Sequence, residues 1–287
     1  MRATECGVMD SSGKLAQQLL QTLEPEFVQD CADYGREFRR YYFVLSHLLP
    51  RLPDGGSVLD LGAGPGVVSL ALRLTGACVT VADKWEYYSK SEPPAEDAPR
   101  PRSGTRTHMI GRYEKHGVIV RDVDLIRDTL PFHDNAFDMA MLLAVIEHLP
   151  VSPKRILEEV RRVLKPRGVL ALEVPNIAAL RNRVGLLFGR SIHCPLKEWY
   201  FEDCYRGHFR EMTCAEVRQY VQYLNMELIA LRTSNTSFLN TKLADGYYER
   251  GYRLNSLFQL AKAAYLLFCA PFPGFRYQIL ALARKRA

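Results

Sequence analysis

Glycines at 62, 64 and 66 close an apolar run, Ser57-Val-Leu-Asp-Leu-Gly-Ala-Gly-Pro-Gly66, and a helical pattern from Val67 to Leu74 follows them. A turn without Cβ atoms bends sharply and lets a ligand lie against its backbone, while the next helix aims N–H groups at it. The chemistry implied is cofactor binding. A dinucleotide turn places its third glycine one position later, beside a pyrophosphate, and Val67 stands there. Two histidines, His148 in Ile-Glu-His-Leu and His208 in Gly-His-Phe-Arg, are the candidate bases, since imidazole exchanges protons near neutral pH. Each is equally a residue that could hold backbone or pack a helix start. No metal is expected, because Glu147-His148 has no second histidine pair in the sequence. The seven cysteines, at 6, 31, 78, 194, 204, 214 and 269, form no Cys-x-x-Cys and are odd in number, which reads as reduced thiols in a cytoplasmic setting.

These groups need a sheet to position them. A second strand, Cys78 to Ala82, ends in Asp83, 23 residues after Asp60, near the spacing at which an acid reaches a ribose diol. The stretch Asp124 to Asp138 leads to an apolar strand from Met139 and to Glu147-His-Leu149, followed by Ile156 to Pro175 with Glu-Glu-Val-Arg-Arg-Val-Leu-Lys-Pro-Arg-Gly-Val-Leu inside it. In this order the segments resemble the class I S-adenosylmethionine-dependent methyltransferases. The resemblance implies an α/β fold, a doubly wound, mostly parallel seven-stranded sheet of order 3-2-1-4-5-7-6. It implies S-adenosylmethionine as cofactor, with Asp60, Gly62, Ala63, Gly64, Gly66 and Leu143 around it, Asp83 on the ribose, and Asp122 or Asp124 on the adenine amino group. Arg167 departs from the pattern, a glycine being usual there, so Gly168 alone is expected to form the turn before strand five, which is read from Gly168 to Val174.

Apolar residues at helical spacing between 14 and 50 predict a helical cap over residues 1–50, ahead of a catalytic domain over 51–287. Proline and charge density mark 84–117 as a flexible insertion, either a loose surface segment or a lid. Ser152 is expected to cap a helix with Pro153 in its first turn, and Thr213-Cys-Ala-Glu216 is a capping box. Met226 to Leu231 and Tyr277 to Ala283 read as the last strands. Residues 175–212 are too long for a plain connection and form an acceptor-side insert carrying Asn176, Arg181, Arg183, His193, Trp199, Tyr200, Tyr205, His208 and Arg210. Residues 151–220 hold 13 Lys and Arg against 8 Asp and Glu, a basic surface that a phosphate-bearing acceptor would feel.

The apolar segment at 250–275 has an unbroken run of only eight residues, Ala263 to Ala270, too short to span a bilayer. It reads as a helix on the sheet edge or as an interfacial one whose Tyr265, Leu266, Phe268 and Phe272 meet lipid. The N-terminus has no apolar signal stretch, and the expected location is cytoplasmic, with peripheral contact at the inner membrane face as an extension. The acceptor is expected to be a small molecule, sugar or lipid-linked compound methylated on oxygen in preference to nitrogen or carbon. No nucleic acid is expected as partner, since neither the amino-methylating Asn/Asp-Pro-Pro-aromatic signature nor an RNA-binding module is present. The competing readings are a catalytically silent cofactor-binding subunit and an NAD-linked oxidoreductase.

Overall fold

The computed structural model describes residues 11–27, 34–85, 106–193, 195–201, 207–235 and 264–287. Two helices come first, α1 (Ser11–Phe27) and α2 (Tyr34–Leu48). Then follow β1 (Ser57–Leu61), α3 (Val67–Leu74), β2 (Cys78–Asp83), α4 (Arg106–Lys115), β3 (Ile119–Asp122) and β4 (Phe137–Leu143). The second half carries α5 (Lys154–Val163), β5 (Leu164–Pro175), α6 (Leu180–Leu187), α7 (Leu196–Phe201), α8 (Cys214–Tyr223), β6 (Met226–Ser234) and β7 (Gln278–Lys285). The strands form one sheet of order β3-β2-β1-β4-β5-β7-β6, parallel except for β7, which runs antiparallel to both β5 and β6. The expected doubly wound order is the one observed.

Strand alternation explains the layering. Successive side chains on a strand point to opposite faces. Val58, Met139 and Met141 accordingly join the core under α1, α2, α3 and α4, while Leu59, Leu61, Ala140 and Leu142 join the core under α5 and α8. Each face of the sheet is thus sealed by helices, which is why the strands read as nearly continuous apolar runs. The winding direction reverses between β1 and β4, and in such sheets the carboxyl ends of those two strands flank the crevice where ligands bind.

Several local readings change. Strand β5 starts at Leu164, before Gly168, because Phe137 pairs with Leu164 and Met139 next pairs with Val169, so residues 165–168 bulge out of the ladder. Arg167 takes the left-handed conformation there (φ 66°). The glycine role is therefore split: Arg167 supplies the turn, while Gly168 supplies space, since a Cβ on it would stand 2.8 Å from the carbonyl oxygen of Lys165. The cap of α5 is Pro153, with the Ser152 hydroxyl accepting from the Lys154 N–H at 3.3 Å. The capping box of α8 forms as read. The proline- and charge-dense part of the 84–117 insertion falls mostly outside the described residues, yet 106–115 is helix α4, buried through Met109, Arg112 and Tyr113. Of the apolar segment, 264–269 is helical, with Cys269 buried and Leu267, Phe268 and Phe272 exposed. Among the described residues no helix is long and apolar enough to cross a membrane.

A left-handed non-glycine residue costs about 1 to 2 kcal/mol. Arg167→Gly should therefore recover about 1 kcal/mol in urea unfolding, after the entropy glycine adds to the unfolded chain, whereas Gly168→Ala should destabilise. Stabilisation by the second and not the first would contradict the split roles.

Candidate functional site

The crevice at the carboxyl ends of β1 and β4 is built around the glycine turn. Gly62, Gly64 and Gly66 all have positive φ (70°, 52° and 77°), conformations that Cβ-bearing residues resist. The Gly62 N–H donates to the carbonyl of Ala82 at 2.8 Å, tying the turn to β2. A Cβ on Gly66 would overlap the Tyr113 ring of α4, and the Tyr113 hydroxyl donates to the Gly64 carbonyl at 2.9 Å. The cavity so formed, of about 200 Å³, is lined by Asp60, Gly62, Ala63, Gly64, Gly66 and Leu143 among the residues expected at the cofactor.

Other wall residues were not read from the sequence as site residues. Arg40 and Tyr41 come from α2, Ala144 follows β4, and Glu173 comes from β5. Glu173 is 1% exposed and receives Arg40 Nη2 at 2.7 Å and the Gln278 amide at 2.6 Å. Burial works against the Arg40 charge, but Glu173 more than reverses this and holds its pKa well above the ordinary value. Arg40 and Glu173 lie 133 positions apart, so no local pattern links them. Ala144 has φ 59°, and its N–H donates to the Glu173 carbonyl at 2.9 Å, a strained backbone held at the crevice wall.

The acids separate into different jobs. Asp60 is 4% exposed and accepts the Ser69 hydroxyl at 2.6 Å; burial pushes its pKa up to about 7, against the pull of Ser69. Asp83 accepts the N–H of Gly64 at 3.1 Å through Oδ2 and that of Lys84 at 2.8 Å through Oδ1. It braces the turn and does not itself line the cavity. Asp122 pairs with Asp83 in strand register and accepts from Trp85 N at 3.3 Å. Asp124 is held by Lys84 at 2.9 Å and caps the following turn through Ile126 N. Asp122 and Asp124 also lie off this cavity.

The two candidate bases meet. His148 sits in a 3-10 turn, Ile146–His148, directly after β4, and its ring centroid is 4.7 Å from that of His208. Phe209 N and Arg210 N donate to the Glu147 carbonyl at 2.7 and 3.3 Å, which locks the loop of His208 to that turn. Burial lowers the His208 pKa, but its hydrogen bond to Glu211 and the charges of Glu147 and Glu211 outweigh this and raise it. Glu147 is wholly buried, and burial pushes its carboxyl up to about 7. The fold adds His208 to Glu147-His148: one ligand atom from each of Glu147, His148 and His208 lies within 4.8 Å of the others.

His208 also borders two cavities of the insert. One, of about 520 Å³, is lined by Arg181, His193, Arg210 and Tyr277 among others. A second, of about 660 Å³, is lined by His193, Leu196, Trp199 and Phe209 among others. Not every polar residue of the insert points to ligand. Asn176 is buried and donates to the carbonyls of Gly274 and Arg276, Arg183 lies over Phe275, and Arg210 pairs with Glu216 at 2.6 Å. Tyr200 is exposed, and Tyr205 lies outside the described residues.

A family model described as "Methyltransferase domain" matches residues 34–231. The chain is 26% identical over 141 residues to the protein named "Probable methyltransferase ltbC" of Aspergillus luteorubrus, 47% of this chain and 46% of that protein. It is 28% identical over 127 residues to a ubiquinone biosynthesis O-methyltransferase of Actinobacillus pleuropneumoniae, 42% of this chain and 47% of that protein. The match thus spans about half the length of either relative. Among solved structures, an S-adenosylmethionine dependent methyltransferase of Mesorhizobium loti superposes with TM-score 0.51 at 15% identity, over 88% of this chain and 99% of that one, a likeness of fold.

The raised Asp60 carboxyl has a consequence for stability. A carboxyl whose folded pKa exceeds its unfolded value binds more protons folded, so stability is greatest below about pH 4 and falls as pH rises toward 7. Asp60→Asn keeps an acceptor for Ser69 and removes the titration. Without cofactor, the variant should gain on wild type by about 2 to 4 kcal/mol between pH 5 and pH 8, read from urea midpoints at each pH. A pH-independent difference would mean that Asp60 does not carry the effect.

Proposed function

Because the chain belongs to the methyltransferase-domain family of class I S-adenosylmethionine-dependent methyltransferases, we propose that it moves the methyl group to an oxygen of a small-molecule, sugar or lipid-linked acceptor entering from the side of the 175–212 insert. The observation that carries this reading is adjacency. Leu143 and Ala144, at the wall of the glycine-turn cavity, and Glu147-His148, beside His208 of the insert cavities, stand on one short stretch. Cofactor side and acceptor side thus share a boundary. A metabolite, sugar or lipid head group enters where His193, Trp199, Phe209 and the basic Arg181 line the insert.

The residues present fit the cofactor. A turn of three positive-φ glycines offers backbone without Cβ atoms, and the amino-acid end of the ligand, with one ammonium and one carboxylate, meets a wall that holds the Arg40 guanidinium and the carboxyl groups of Glu173 and Asp60. Asp60, Gly62, Ala63, Gly64, Gly66 and Leu143 are read as its seat, with Asp83 acting by bracing Gly64. Asp122 or Asp124, both off this cavity on the side of β3, is read as the partner of the adenine amino group. When bound, the cofactor supplies a methyl group on a sulfonium. The chain's own work is then to hold an acceptor in line, to exclude water and to accommodate the proton the acceptor loses, a positioning task worth several kcal/mol. On this reading His148 and His208, which pack against each other beside the insert cavity, are the candidates to receive that proton. An NAD-linked reaction is disfavoured by Val67, and a silent cofactor-binding subunit would bind the cofactor without turnover.

Exposed Leu186, Leu187, Phe188, Leu196, Tyr200 and Phe201 on α6 and α7 favour an acceptor with an apolar part. Location at the inner face of the membrane belongs to the same reading. Sedimentation with anionic liposomes at low salt tests it, and absence of binding would remove the membrane version.

Calorimetry with S-adenosylhomocysteine and with NAD, followed by methyl-release assays over an acceptor panel, tests the whole. Gly64→Val, which forces a branched residue to φ 52° at the cavity wall, should abolish S-adenosylhomocysteine binding. Asp83→Ala should weaken it by about 1.5 to 3 kcal/mol. His148→Ala and His208→Ala should each cut turnover about 10²-fold with cofactor affinity intact. Unchanged affinity in both of the first variants would sink the cofactor seat, and full turnover in both histidine variants would sink their role.

A further inference from the structure

We propose that Glu147, His148 and His208 bind one divalent transition-metal ion at the border between the cofactor crevice and the insert cavities. Their ligand atoms lie within 4.8 Å of one another. Donors about 2.1 Å from a common ion stand roughly 3 to 4 Å apart in tetrahedral or octahedral arrangements, so a small side-chain movement closes the set. Glu147 provides an independent reason. Its side chain is wholly buried, and neither carboxylate oxygen has a hydrogen-bond partner among the described residues. A buried carboxylate without a partner costs several kcal/mol, and a cation in this position removes that cost.

The surrounding hydrogen bonds suit ligation. Nδ1 of His208 faces Glu211 Oε1 at 2.7 Å, and Nδ1 of His148 faces the Gly207 carbonyl at 3.2 Å. An Nδ1–H donated to an oxygen fixes the tautomer whose lone pair is on Nε2, the arrangement that orients imidazole ligands in metal sites. The bonds from Phe209 N and Arg210 N to the Glu147 carbonyl hold the two segments in place. Two imidazoles and one carboxylate select zinc, iron, cobalt or nickel over magnesium or calcium, which prefer all-oxygen sets.

Three protein ligands leave coordination positions for the acceptor, and this role rests on the methyl-transfer reading. The ion would act as a Lewis acid on the acceptor hydroxyl. The hydroxyl gives its proton to solvent, the oxygen forms the O–CH3 bond as the S–CH3 bond breaks, and the cofactor leaves as the neutral thioether. The histidines then act as ligands and not as bases.

Chelator-stripped full-length protein titrated with Co2+ and Zn2+ tests the site, with Mg2+ as comparison. The expected result is one ion per chain, a cobalt spectrum of nitrogen and oxygen ligation, and much weaker Mg2+ binding. Glu147→Gln, His148→Ala and His208→Ala should each weaken Co2+ binding by at least the 10- to 100-fold that loss of an outer-shell partner costs. Because Glu147→Gln alters a buried residue, His148→Ala, the most exposed of the three, with retained S-adenosylhomocysteine affinity as the fold control, keeps the test decisive. No stoichiometric binding, a thiolate-type cobalt spectrum, or unchanged affinity in the histidine variants would overturn the site. Turnover that survives stripping would overturn the Lewis-acid role. Metal binding without S-adenosylhomocysteine affinity would instead leave the site standing and remove the function it is joined to.

Discussion

Glu173 stands 1% exposed near the carboxyl end of β5, and its oxygens are held by Arg40 and Gln278. An unpartnered carboxylate at that depth would cost several kcal/mol, so α2 cannot leave the crevice without exposing that cost. The Arg40 bond therefore fixes the N-terminal helices on the sheet and at the same time sets one wall of the cofactor cavity. The Gln278 bond crosses from β5 to β7 and carries the same carboxylate into the antiparallel half. Through the backbone bond from Ala144 to Glu173, β5 also holds the strained residue from which the chain turns toward Glu147 and His148. One buried ion pair thus joins cap, cofactor seat and acceptor boundary.

The glycine turn relies on a second set of constraints. Its positive φ angles are stabilised from outside: Asp83 takes the Gly64 N–H, Ala82 takes that of Gly62, and Tyr113 donates to the Gly64 carbonyl. The acid at the tip of β2 shapes the surface that a ligand meets, and α4 closes the turn from the opposite side.

What could be read from the sequence follows from the range of the interactions involved. The glycine turn, the acid at the tip of β2 and the Thr213–Glu216 capping box are local patterns, and the strand order follows from the resemblance they carry. Arg40 with Glu173, and His148 with His208, are contacts between residues far apart in the chain, and no period or spacing encodes them. Strand β5 begins earlier than the sequence suggests because Lys165-Pro-Arg-Gly168 breaks the apolar run and reads as a turn, which hides that Leu164 already pairs with Phe137 across the bulge. Helix α4 was hidden by the proline-rich residues preceding it, although Met109 and Tyr113 already stood at a helical interval of four. The acceptor side was legible only as a long, basic and aromatic insert, because its cavities arise where α6, α7 and the Gly207 loop meet.

A crystal structure of the protein grown with S-adenosylhomocysteine addresses the central point most directly. Ligand density lying along Gly62 to Gly66, with its amino-acid end toward Arg40 and Glu173 and its sulfur facing the side of His148 and His208, is the predicted result. Density placed elsewhere on the fold, or a glycine-turn crevice that stays without ligand at saturating concentration, would contradict it.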